Sequence, residues 1–131
     1  MEDNKCIIDK YSTVYCFDVY VVLYPDKDLI DKQFEWRENG SSILEDKYDT
    51  YSAYTVSGAW DKVEKKDCVI IVINTLKDDN DNINTFAHES LHATMDILST
   101  CGVKYSEDSC EAYAYLMGYI TECVYRTAKK V

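Results

Sequence analysis

Histidine is nearly missing from this chain: there are two in 131 residues, so a site built on imidazole has no spare ligands to draw on. Proline occurs once, at Pro25, and no stretch is repetitive or low in complexity. Repeat arrays and proline-rich linkers are thereby excluded. Basic residues are scarce too, 14 against 24 acidic ones, giving a net charge of −10. A surface of that sign repels phosphates, so nucleic acid is not an expected partner. Long apolar runs are also lacking. The longest, Val19 to Tyr24, falls far below the roughly 18 residues a membrane-spanning helix needs, and no membrane partner is expected. The opening residues Met1-Glu2-Asp3-Asn4-Lys5-Cys6 have no basic segment leading into an apolar one. No secretory leader is therefore expected, and a cytoplasmic location is. Six cysteines contain no Cys-x-x-Cys pair, so they are expected to be reduced and mostly buried rather than disulfide-bonded.

What is present suits one folded domain over residues 1–131. Hydrophobic residues make up 47% of the chain and include twelve tyrosines, more apolar surface than disordered chains carry. Residues 13–24 are dense in β-branched and aromatic side chains and predict a strand that stops at Pro25-Asp26. Leu29, Ile30 and Phe34 are spaced for a short helix over 26–36, after which Gly40-Ser41-Ser42 reads as a loop. Residues 43–49 suit neither helix nor strand clearly. A second strand is expected over 50–60 and a third over 68–73, joined as a hairpin through the charged residues 61–67. The third is apolar throughout and must be covered on both faces. A helix over 83–100 follows, capped by Asn82 or Asn84, buried through Ala87, Leu91, Met95 and Leu98, and ended by Gly102. A last helix is expected over 107–126, capped by Ser106, with an apolar stripe of Ala112, Leu116, Tyr119 or Ile120, and Cys123. The two helices should pack antiparallel. The fold class is thus α+β, a small sheet of about three strands against two C-terminal helices.

The acidic loop Lys77-Asp78-Asp79-Asn80-Asp81-Asn82 matches part of a calcium-binding loop, but Ile83 stands where the sharp turn requires glycine. Helix capping explains these residues better.

Both histidines fall in one short stretch, His88-Glu89-Ser90-Leu91-His92. On a helix, positions four apart share a face, so both imidazoles can reach one ion while Glu89 stands beside it. Tetrahedral zinc favours two ligands converging from one rigid element, and a catalytic ion needs a third protein ligand and an open fourth position. No histidine remains for the third place. Glu111 is favoured, because it is expected a full turn inside the last helix beside its apolar stripe, where a carboxylate without a partner would be costly. Cys110 is the rival, and Glu107 and Asp108 are better explained by the helix dipole. Tyr115, one turn from Glu111, is a candidate oxyanion donor or partner to a histidine, and Asp96, one turn beyond His92, is a candidate histidine partner.

His88-Glu89-Ser90-Leu91-His92 followed by Glu111 on the next helix resembles the gluzincin arrangement of zinc metallopeptidases. The wider stretch, Ala87 to Ala93 with Glu111-Ala112-Tyr113-Ala114-Tyr115-Leu116, resembles small phage- and prophage-encoded proteins with a minimal zincin core. It is loosely similar to the ImmA/IrrE peptidases. The resemblance covers about residues 68–125 and implies a minimal zincin-like domain in which His88, His92 and Glu111 bind Zn2+ and Glu89 is the general base. It also implies a protein or peptide substrate, laid as an added strand along a sheet edge before the metal helix, for which residues 68–74 are the candidate. If phage-encoded, such a protein would work in the host cytoplasm or the virion. The competing expectation is a zincin-like virion or host-interaction protein without peptidase activity.

Overall fold

The computed structural model describes residues 4–131; the reading of Met1 to Asp3 as part of a leaderless start lies outside the described residues. Five strands form one sheet in the order β1-β2-β5-β4-β3, where β1 is Ile7–Ser12, β2 Asp18–Leu23, β3 Phe34–Trp36, β4 Ala53–Asp61 and β5 Lys66–Ile73. Three helices complete the fold: α1 (Lys27–Gln33), α2 (Asp79–Thr100) and α3 (Cys110–Ala128). The α+β class holds, with five strands in place of about three.

Two strands escaped the sequence pattern: β1, whose residues Ile7 to Ser12 mix charged and apolar side chains, and β3, which is only three residues long. β1 pairs antiparallel with β2, from Ile7 opposite Leu23 to Ser12 opposite Asp18. The stretch expected to begin a strand at residue 13 instead turns: the Thr13 hydroxyl donates to the carbonyl of Phe17 at 2.7 Å and accepts from the Tyr15 N–H at 3.1 Å. β3 takes the last three residues of the expected 26–36 helix. α1 itself is capped by Asp26, whose carboxylate accepts from the N–H groups of Asp28 and Leu29, so the residue after the single proline starts the helix.

β5 is the centre of the sheet. It runs parallel to β2, with Val19 opposite Val69, and antiparallel to β4, with Thr55 opposite Ile71. Its buried apolar run is covered on both faces, as its composition required. On one face Val69, Ile71 and Ile73 pack with Phe86, Ile97, Leu116 and Ile120 of α2 and α3. On the other, Ile70 and Val72 pack with Ile30 of α1, Phe34, and Ile43 and Leu44 of the segment after β3. The β4–β5 hairpin has a tighter connection than expected, with the Asp61 carboxylate accepting from the N–H groups of Val63 and Glu64.

The position of β5 corrects the expectation that residues 68–74 offer a free sheet edge, since both of its sides are paired. β1 and β3 are the outer strands, and β3 is so short that it covers only part of β4. β3 pairs only with Ala59, Trp60 and Asp61, and the Arg37 N–H adds one bond to the carbonyl of Gly58. After Trp36 the chain turns back through Gly40, and among the described residues no strand pairs with residues 53–57 of β4 on that side. A bulge between Val56 and Ala59 separates the paired half from the open one, and Gly58 there has φ +76°, a conformation open to glycine.

Both terminal helices differ from expectation at their starts. α2 begins at Asp79, capped by Asp78, whose carboxylate accepts from the Asp81 N–H at 3.0 Å. Asn82 instead ties back to both backbone groups of Lys77. The buried stripe of α2 is Phe86, Ser90, Ala93 and Ile97, flanked by Glu89, Thr94 and Leu98. Leu91 and Met95, expected in the core, are 46% and 43% exposed, because the equally spaced stripe with the bulkier Phe86 and Ile97 faces the sheet. α3 starts at Cys110 rather than near Glu107, and buries Leu116, Ile120 and Cys123 as expected, together with Tyr113, Val124 and Thr127. All six cysteines are free, but Cys16 and Cys101 are exposed and only Cys68 and Cys123 are buried, so "mostly buried" does not hold. No helix among the described residues is long and apolar enough to cross a membrane.

Candidate metal centre

α2 carries both histidines on its outer face and Glu89 against the sheet. The Nε2 atoms of His88 and His92 are 3.2 Å apart, with their rings edge to face. Two nitrogens bound to one tetrahedral ion at zinc–imidazole distances stand about 3.3 Å apart, so the pair has the spacing of two ligands.

Glu89 is buried, and its carboxylate is held rather than free. The Thr55 hydroxyl of β4 lies 2.8 Å from Glu89 Oε1 and 3.1 Å from the Glu89 carbonyl. The other oxygen, Oε2, lies 3.9 Å from His88 Nε2. One oxygen is thus occupied by the sheet and the other lies toward the His88 imidazole. Thr55 was not singled out in the sequence, where it is one threonine within an imperfectly alternating strand; the contact spans 34 residues.

The remaining sequence candidates lie elsewhere. Glu111 is in the first turn of α3, exposed, and not a full turn inside the helix, because the helix begins at Cys110. Its position has the same explanation as other first-turn acids, complementing the helix dipole. Among the described residues no three histidine, cysteine, aspartate or glutamate side chains are gathered as a metal-binding group. Tyr115 is 77% exposed and lines a cavity of about 520 Å³ with Val14, Tyr15, Leu116 and Tyr119, a cavity that neither histidine borders. Asp96 is half-buried on the β4 side of α2; burial raises its carboxyl pKa, while the nearby Ser57 hydroxyl lowers it.

Beside His88 and Glu89 a cleft of about 270 Å³ opens between α2 and the start of β4, bordered also by Tyr51, Ser52, Lys77 and Asn84. Lys77 puts a cation on the cleft wall, a placement nothing in its acidic sequence surroundings suggested.

Comparison of the chain with family models, with curated proteins and with solved structures gives no match.

Proposed function

We propose that the protein is a zinc-dependent metallopeptidase of gluzincin type acting on peptide bonds. The observation that carries this reading is the pairing of two imidazoles at ligand spacing with a glutamate whose free oxygen faces them. His88 and His92 hold the metal, and Glu111 is the third ligand that the resemblance assigns. When bound, zinc supplies a Lewis acid that acidifies water and polarises a carbonyl. Glu89 takes the proton from the attacking water on Oε2 while Thr55 fixes Oε1, and later returns it to the leaving amine. Lys77, in place of Tyr115, is the positive group on the cleft wall available to a developing oxyanion. The substrate chain lies as an added strand along residues 53–57 of β4, the open edge next to the helix.

The deciding experiment combines metal analysis with a proteome-derived peptide library. One zinc per chain and cleavage abolished in Glu89→Gln with zinc retained are expected; stoichiometric zinc without cleavage of any peptide would sink the peptidase reading. A second reading is favoured by one observation, the exposed first-turn position of Glu111. It is a zincin-like protein without peptidase activity, such as a phage virion or host-interaction component, in which the two histidines bind metal without a complete catalytic site.

A further inference from the structure

On the sheet face opposite α2, the gap left where β3 turns away from β4 is a cavity of about 360 Å³. Its walls include Trp36, Tyr48, Tyr51, Tyr54 and Val56, and Glu45 and Asp46 stand at its mouth with Lys47. Tyr51 and Tyr54 meet edge to face, their centroids 6.4 Å apart. The Tyr54 hydroxyl oxygen is buried yet has no hydrogen-bond partner. A buried hydroxyl left so is destabilising relative to a paired one, so the pocket wall offers a polar group that a ligand can satisfy. Burial, and then the neighbouring Tyr48 and Glu45, raise the pKa of that hydroxyl well above the usual tyrosine range.

We propose that this cavity is a specificity pocket for an arginine side chain of an extended peptide docked along residues 53–57 of β4. The inference deepens the proposed function and rests on it for the premise that a peptide is engaged. Side chains of an added strand alternate between the two faces of the sheet. Those on the α2 face meet His88 and Glu89, and their immediate neighbours enter the pocket. Aromatic walls suit a planar guanidinium, which stacks on tyrosine faces and donates in several directions at once. The Tyr54 oxygen accepts one N–H, and the carboxylates of Glu45 and Asp46 outweigh the single charge of Lys47. An acidic side chain meets repulsion there, reinforced by the chain's net charge of −10. A phenylalanine leaves the Tyr54 hydroxyl unpaired.

The test uses the full-length, metal-free, ¹⁵N-labelled Glu89→Gln protein, so that neither zinc nor hydrolysis is needed. Peptides acetyl-Thr-Val-Xaa-Val-Thr-amide, with Xaa arginine, lysine, phenylalanine or glutamate, are titrated and amide shifts are followed. The arginine peptide is expected to shift the amides of Tyr48, Tyr54, Thr55 and Val56 and to bind at least tenfold more tightly than the others. Glu45→Gln, at an exposed position, and Tyr54→Phe are each expected to bring arginine down to the phenylalanine level without changing phenylalanine binding. Equal binding of the lysine or phenylalanine peptide, shifts mapping to the Tyr115 cavity, or no shifts would overturn the assignment. Hydrolysis by the zinc-loaded wild type is read separately: arginine preference without hydrolysis sinks only the peptidase reading, and hydrolysis without arginine preference sinks only this one.

Discussion

The Thr55 hydroxyl donates to Glu89 Oε1 at 2.8 Å and thereby joins the open half of β4 to the helix that bears both histidines. Thr55 is a positioning residue: it fixes which carboxylate oxygen is left for proton transfer. Thr55→Val should lower kcat by about tenfold or more, a fraction of what general-base catalysis contributes, while zinc content and KM stay near wild type. Thr55→Ser should restore most of the loss, because it returns the hydroxyl. A purely structural role would instead lower thermal stability in both variants alike.

Metal retention distinguishes the ligands. His88→Ala and His92→Ala should each lower zinc affinity at least about 100-fold, since each removes one of few protein ligands and no other histidine exists to replace it. Glu111→Gln should lower it by about tenfold or more as the third ligand. Competition with a chromophoric chelator measures all three, and full zinc retention by Glu111→Gln would move the protein to the second reading.

The Tyr20–Asp61 pair sets an alkaline limit on stability. Asp61 is fully buried and accepts from the Tyr20 hydroxyl and from the N–H groups of Val63 and Glu64. Burial, followed by the Asp61 hydrogen bond and charge, raises the Tyr20 pKa far above its ordinary value near 10. The folded state therefore keeps a proton that the unfolded chain loses. That contribution is fully present below pH 10 and declines as the pH rises past it. Tyr20→Phe should flatten the decline and, at neutral pH, cost about 1.5–3 kcal/mol by removing a donor to a buried carboxylate. Urea denaturation at pH 7 and pH 11 checks both.

Thiol labelling should follow burial. Cys16 and Cys101 are exposed, whereas burial raises the Cys68 and Cys123 thiol pKa values and shields both groups. In the native protein Cys16 and Cys101 should react with an aromatic disulfide reagent within minutes, and Cys68 and Cys123 only on unfolding. Mass spectrometry of the labelled peptides identifies them.

The parts legible in the sequence are those governed by local pattern. Val69 to Ile73 could only be a strand covered on both faces, and the spacing of His88 and His92 required a helix to bring their nitrogens together. Pattern alone pointed to the Leu91–Met95 stripe, but Phe86–Ile97 has helical spacing too and only the sheet beneath decides. The free edge was misplaced for a related reason. An apolar strand next to the metal helix in sequence invites the edge assignment, but the parallel pairing of β2 with β5 is a long-range event with no local signature. Glu111 illustrates sensitivity to helix boundaries: a start three residues later than expected turns a half-buried position into a first-turn one. Thr55 and Lys77 were invisible because their roles come from residues distant in the chain.

The parallel β2–β5 pairing also bears on the order of assembly. β2 and β5 are joined through α1, β3 and β4, so their contact requires closing a long loop, which is slow and entropically costly. The β4–β5 hairpin and α2 are contiguous in the chain, and Thr55, His88, Glu89 and His92 all lie within them. The residues of the candidate centre therefore lie in one contiguous stretch, and the Thr55–Glu89 contact closes a loop shorter than the one the β2–β5 pairing must close.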